Sequence, residues 1–117
     1  MTWTVIFAEE FDAEMAALPT GVRRSLLAHA GVLEVIGPTL GRPLVDTLYG
    51  SRFDNMKELR FSVEGGMWRA AFAFDPNRQA IVLVAGNKTG KSQSRFYKTL
   101  VATADSRYAR HLEYLED

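Results

Sequence analysis

Lys57 to Tyr97 reads KELRFSV (57–63), EGG (64–66), MWRAAFAFD (67–75), PNRQ (76–79) and AIVLVAGNKTGKSQSRFY (80–97). Turn residues separate three short apolar runs, and the last run leads into a basic loop. Gly65-Gly66 supplies the positive φ of a tight hairpin turn, so the first two runs are expected to pair antiparallel. With those glycines as the turn, Val63 faces Trp68, Phe61 faces Ala70 and Leu59 faces Phe72. This register makes one face apolar except for Lys57 at its open end. The other face carries Glu58, Arg60 and Ser62 beside Arg69, Ala71 and Ala73, because side chains alternate across a strand. A three-residue turn would set Arg69 against Phe61, and a slip of that kind sends every side chain to the wrong face. Arg60 and Arg69 thereby become diagonal neighbours, a repulsion that an anion seated over them relieves.

Working outward, Asp75-Pro76-Asn77-Arg78 fits a type I turn with Pro at its second position. It pairs Phe74 with Gln79, Phe72 with Ile81 and Ala70 with Leu83, and puts Val82, Val84 and, if the strand runs on, Lys88 on the face of Arg69. From about Ser94 the period turns helical, with Phe96, Leu100, Ala104, Tyr108, Leu112 and Leu115 on one stripe. Upstream, Gly37–Met56 holds three glycines and two prolines and reads as an ordered surface loop, with Leu40, Leu44, Val45, Leu48 and Tyr49 tacking it to the core. Before it, Gly21–Ile36 is a helix with Val22, Leu26, Ala30 and Leu33 on one face, and Glu9–Leu18 is another, stopped by Pro19. Thr2–Ala8 is β-branched and aromatic with alternation, and reads as a strand. The order β, α, α, β, β, β, α predicts an α+β fold: a small, mostly antiparallel sheet with one face under helices and the other partly open.

A chain of 117 residues, 47% hydrophobic and 11% aromatic, is expected to form a single domain, 1–117, with its own core. The start, MTWTVIFAEEFDAEM, lacks the basic leader of a signal peptide, and no run is long and apolar enough to span a bilayer. The absence of cysteine excludes disulfides, thiolate zinc sites and a cysteine nucleophile. A soluble cytoplasmic protein is the expectation. Net charge is zero, but Arg52–Lys98 carries nine Lys/Arg against four acids, and the remainder five against ten. A basic block of this kind binds phosphate locally even when the sum hides it.

Several tempting motifs carry little. IVLVAGNKTGKS (81–92) resembles a P-loop, yet only Asn87, Lys88 and Thr89 separate Gly86 from Gly90, where four residues are needed. His29 and His111 read as helix-surface or boundary residues, and Glu9, Glu10, Asp12 and Glu14 as a solvated first helical turn. Trp68, Phe72 and Phe74 belong to the core by the register above. Tyr97 stands apart, following Lys88, Lys91 and Arg95 and lying off the apolar stripe. Ringed by cations its phenolate is favoured, making it a proton acceptor; the alternative is a boundary residue bonded to the loop. Arginine forks match phosphate bidentately and lysine adds a mobile charge, so Arg60, Arg69, Lys88 and Lys91 together suit a phosphodiester and its charged transition state.

At these residues the sequence resembles the RelE/ParE superfamily of bacterial toxin-antitoxin toxins, most closely the HigB-like branch related to phage Gp49 proteins. LYGSRFDNMKELRF (48–61), Gly65-Gly66-x-Trp68-Arg69, AIVLVAGNKTGK (80–91) and SRFYK (94–98) carry the likeness. It implies a RelE-like fold with an N-terminal strand, helical hairpin, three-stranded antiparallel meander and C-terminal helix. It also implies an mRNA interferase acting in the ribosomal A site, where a ribose 2′-OH attacks the adjacent phosphate and leaves a 2′,3′-cyclic phosphate, without metal or cofactor. Lys57, Arg60, Arg69 and Lys88 match the family's basic strand positions and Tyr97 its tyrosine after the last strand. In that chemistry Arg69 and Lys88 stabilise the phosphorane, Arg60 positions the phosphate, and Lys57 or Tyr97 moves the proton. Lys91, Arg95 and Lys98 are the RNA-binding candidates. The implied partners are a cognate helix-turn-helix antitoxin, mRNA on the ribosome, and DNA only through the antitoxin; no membrane is involved. Asn87-Lys88-Thr89-Gly90-Lys91 has one cation fewer than the usual HigB-like run, and the histidine of some HigB proteins has no counterpart on this sheet. Two rivals share the fold: a ParE-like inhibitor of DNA gyrase that cuts no RNA, and an inactive antitoxin-binding co-repressor module. The nuclease expectation requires Arg60, Arg69 and Lys88 to meet on a side of the sheet that the terminal helix leaves open.

Overall fold

The computed structural model describes residues 2–116. Strand β1 (Thr4–Phe7) leads into helices α1 (Glu9–Ala17) and α2 (Thr20–Ile36), a single 3-10 turn at Gly37–Thr39, and strand β2 (Val45–Thr47). Strands β3 (Met56–Val63), β4 (Gly66–Phe74) and β5 (Gln79–Asn87) come next, and helix α3 (Gln93–Glu116) ends the chain. The five strands lie in the order β1-β5-β4-β3-β2, with β1 parallel to β5 and every other pair antiparallel. The expected α+β order, helical hairpin and central meander are present.

The hairpin face assignment holds, but its register moves by two residues. The turn is Glu64-Gly65, both at positive φ (49° and 82°), so Val63 pairs with Gly66, Phe61 with Trp68 and Leu59 with Ala70. A two-residue loop with both central residues left-handed is the turn whose twist suits a hairpin, and Glu64 fills its first place. Because the shift is even, Leu59, Phe61 and Phe72 keep their face and Arg60, Arg69 and Ala71 keep theirs. Arg60 now stands directly opposite Arg69 rather than diagonal to it.

The second hairpin differs as well. Arg78 takes positive φ, Phe74 pairs with Ala80 and Phe72 with Val82, and an irregularity between Ala71 and Phe72 sets Ala70 against Ala85. A bulge adds a residue to one strand and so changes which face the residues beyond it occupy. Val82 is therefore on the Phe72 face, not that of Arg69 as its spacing predicted, whereas Val84, opposite Ala71, is on the expected one. The buried Asp75 carboxylate holds this turn, accepting from the Asn77 and Gln79 amides.

The segment Gly37–Met56 conceals a fifth strand, β2, against the edge of β3. At three residues, just after Pro43 and with Asp46 at its centre, it is too short for alternation to register. Val45 and Leu48 are buried as expected, but Tyr49 is 72% exposed and tacks nothing down. The larger correction concerns layering. Helix α2 covers the Phe61 face, with His29 against Phe61, while Trp3, just before β1, meets Phe74. Helix α3 lies across the other face, with Phe96 against Gly86 and Tyr108 against Phe53 and Asn55. Both faces therefore contribute to the core, and the face expected to stay open is in large part closed.

Candidate active site

Strand alternation brings Glu58, Arg60 and Arg69 to one face, and α3 adds Tyr97 from close to its N-terminus. Tyr97 donates its hydroxyl hydrogen to Glu58 Oε1 at 2.7 Å and accepts from Arg69 Nε at 3.3 Å. Arg69 Nε also stands 3.4 Å from Glu58 Oε1, and its Nη1 donates to the Trp68 carbonyl. Glu58 is 5% exposed and Arg69 7%. Their opposite charges and the shared tyrosine offset a desolvation that either ion alone would not tolerate. Sequence reading put Arg69 on open surface; instead α3 covers it, because Tyr97 reaches back over the strand to bond it.

Arg60, directly opposite Arg69, keeps access to solvent. It lines an open groove of about 530 Å³ with Asp46, Tyr49, Glu58, Gln93, Ser94 and Tyr97. It also borders a shallower one with His29, Ser62 and Arg69. Its Nε is buried and has no hydrogen-bond partner, so the guanidinium presents an unsatisfied donor. Lys88 reaches the same cluster from the end of β5, with Nζ 5.8 Å from the centroid of the Tyr97 ring. Burial, and then the charges of Arg69 and Arg60, hold its ammonium below the ordinary 10.5. Like charges crowded beside Lys88 are the signature of a site that gains from an anion.

The Tyr97 expectation reverses in sign. Burial and the hydrogen bond to Glu58 raise its phenol above 10.0, outweighing the opposing contact with Arg69. Tyr97 is a neutral donor here, not a phenolate. Glu58 is the group that sequence reading passed over as a reactive one. Its alternation with Arg60 was visible, but nothing in the order of residues showed that a helix 39 positions on would aim a hydroxyl at it.

The remaining candidates disperse. Lys57 pairs across the strands with Thr47 and Phe72; the two-residue period puts it on the Leu59 face, away from Arg60, Arg69 and Tyr97. Lys91 and Arg95 line a separate groove over Val84, Gly86 and Phe96, and Lys98 lines a third with Tyr49 and Tyr97. Arg95 and Lys98 stand one turn apart on α3 but line different grooves, and neither lines the groove of Arg60. His29 donates through Nδ1 to the Ser25 carbonyl and borders the shallower Arg60 groove. His111 bonds buried Asp75 at 2.7 Å, a structural pairing of helix to turn. Among the described residues no cluster of His, Asp and Glu is arranged to hold a metal ion.

This single five-stranded sheet, with α2 on one face and α3 on the other, is a RelE-like α+β fold. A doubly substituted E. coli toxin RelE in the free state superposes with a TM-score of 0.60 over 87% of this chain and 96% of that one, at 14% identity. The family model described as phage derived protein Gp49-like (DUF891) matches residues 13–109, and the chain belongs to that family. Two proteins of Mycobacterium tuberculosis (strain ATCC 25618 / H37Rv) with provisional toxin designations are similar to it. HigB2 is 45% identical over 98% of this chain, and HigB3 is 43% identical over 88%. The chain spans 57% of the length of HigB2 and 88% of HigB3.

Proposed function

We propose that this chain is the toxin of a toxin-antitoxin pair and inhibits translation by cutting mRNA on the ribosome without a metal. The observation that carries the reading is the gathering of Arg60, Arg69 and Lys88, with Arg60 opposite Arg69 and the Lys88 ammonium disfavoured by burial and then by the charges of both arginines. A phosphodiester in the groove relieves the repulsion among these cations. The condition that all three cations meet on a side left open by the terminal helix is not met, because α3 covers Arg69; the nuclease reading needs only Arg60 and Lys88 to reach substrate. Arg60 binds the phosphate through its fork, Lys88 supplies charge and a proton beside it, and Arg69 acts from inside by fixing Glu58 and Tyr97. The likeness to the HigB2 and HigB3 toxins supports the toxin role. It also supports a cytoplasmic setting and a cognate antitoxin of helix-turn-helix type, through which any DNA contact is made.

The test is controlled expression followed by mapping of mRNA 5′ ends. Breaks confined to translated codons are the expected result, and Arg60→Ala reduces them about 10²–10³-fold, the usual cost of losing one preorganised charge donor. Intact mRNA with gyrase-DNA adducts would replace this reading by the ParE-like one, and absence of any growth defect by the inactive module. An Arg60→Ala variant that cuts like the parent overturns the site assignment.

A further inference from the structure

We infer that Glu58 is the terminal proton acceptor of the site and that Tyr97 hands it the proton of the attacking 2′-hydroxyl. This rests on the nuclease reading above and deepens it. Four observations lead to it. Glu58 Oε1 and Tyr97 Oη are 2.7 Å apart, with the tyrosine donating. Tyr97 and Glu58 both line the open groove, and Glu58, only 5% exposed, has its Oε1 taken up by the Tyr97 hydroxyl. Arg69 Nε contacts both oxygens, at 3.3 and 3.4 Å, and so fixes the pair without lying between them. Lys57, the other group considered for proton transfer, is on the opposite face of the strand.

A tyrosine kept in its neutral form makes a poor base by itself. One that bonds a carboxylate on its inner side can accept a proton outside while releasing its own within. In the forward step the 2′-oxygen forms its bond to phosphorus as its proton passes to Tyr97 Oη and the Tyr97 proton passes to Glu58 Oε1. The bond from phosphorus to the 5′-oxygen breaks, and that oxygen leaves as a hydroxyl with a proton from the Lys88 ammonium. The products are a 2′,3′-cyclic phosphate and a 5′-hydroxyl end, Glu58 becomes a carboxylic acid, Lys88 becomes an amine, and Tyr97 is unchanged. Solvent resets the two charges. No oxidant, metal or co-reactant is consumed.

The experiment uses the purified full chain and a reporter mRNA in a translation extract, with cleavage rates measured across the pH range for the parent, Glu58→Gln, Tyr97→Phe and the double variant. The expected loss is about 10²–10⁴-fold for each single change, the range of a general acid-base group. The double variant should lose no more than the worse single one, because members of a relay fail as a unit. The acid limb of the parent's pH profile should disappear in Glu58→Gln. The second readout needs no cleavage: the Tyr97 phenol, followed by NMR of labelled tyrosine, should titrate at lower pH in Glu58→Gln than in the parent. Should Glu58→Gln unfold, Tyr97→Phe, which leaves the Glu58–Arg69 pair in place, must still show both the loss and the vanished acid limb. Multiplicative losses in the double variant, an unaltered pH profile, or an unmoved phenol titration each overturn the relay while leaving the nuclease reading intact. A parent that cuts no RNA overturns both.

Discussion

At the scale of single residues, Arg69 decides how the site is read, because it is inside the protein. Arg69→Ala leaves Glu58 buried with only Tyr97 as a charge-stabilising donor, and breaking a buried pair from one side costs about 3 kcal/mol. Chemical denaturation should show that loss; a variant as stable as the parent would mean that the pair is open to water. The Tyr97 phenol gives a pH signature of the same cluster. Its value is raised, first by burial and then by Glu58. The stabilisation associated with its protonated form is therefore complete below the ordinary pH 10.0 and disappears as pH climbs through the raised value. Titrating phenolate absorbance in the parent and in Tyr97→Phe isolates this group from Tyr108, which burial also raises. The difference should develop only above pH 10.0. That Arg60, Arg69 and Lys88 would assemble was legible in the sequence, since strand alternation and the position of Lys88 after β5 suffice for it. The state of Tyr97 was not. Counting nearby cations predicts a lowered phenol, and only the packing of α3 shows a carboxylate nearer than any of them.

At the scale of elements, the two hairpins show which features of a strand a sequence fixes. Alternation specified the faces of β3 and β4, and any even slip preserves them, so the apolar pattern could not choose between turns at Glu64-Gly65 and Gly65-Gly66. Gly-Gly looked the better turn because glycine tolerates positive φ, yet the chain places Glu64 at φ 49°. A left-handed conformation costs an ordinary L-residue roughly 1–2 kcal/mol, less for asparagine, which also suits this place in the turn. Glu64→Asn should therefore raise stability by about 0.5–1 kcal/mol, read as a higher denaturant midpoint at unchanged slope. A lower midpoint would indicate that the Glu64 side chain supports the hairpin in a way its backbone angle does not suggest. The β4–β5 bulge and β2 lay beyond pattern reading for a different reason. A single extra residue and a three-residue edge strand leave no periodic trace, being settled by what the neighbouring strand offers.

At the scale of the whole molecule, ion pairs between α1 and α3, with both partners outside the basic Arg52–Lys98 block, hold α3 over the sheet. Glu14 and Glu10 of α1, acids that read as a solvated first turn, pair with Arg107 and Arg110 of α3, and Arg107 also donates to the Leu83 carbonyl on β5. Asp105 accepts from Ser51 and from the Arg52 amide, anchoring the same helix to the loop before β3. These contacts keep Tyr97 over Arg69, so the acidic half shapes a site that the basic half lines. Glu14 records the arrangement in its acidity, since the hydrogen bond from Arg107 lowers it below the ordinary 4.5. A depressed carboxylate stabilises the fold above its unfolded value and loses that contribution as pH falls through the folded one. With Glu14 44% exposed, solvent screening limits the effect to about 0.5–1 kcal/mol. Glu14→Gln should therefore melt below the parent at neutral pH and converge with it once both are well below pH 4.5, and added salt should narrow the gap at neutral pH. A melting difference that persists undiminished in acid would assign the role of Glu14 to packing, and would leave the hold of α1 on α3 without its electrostatic cause.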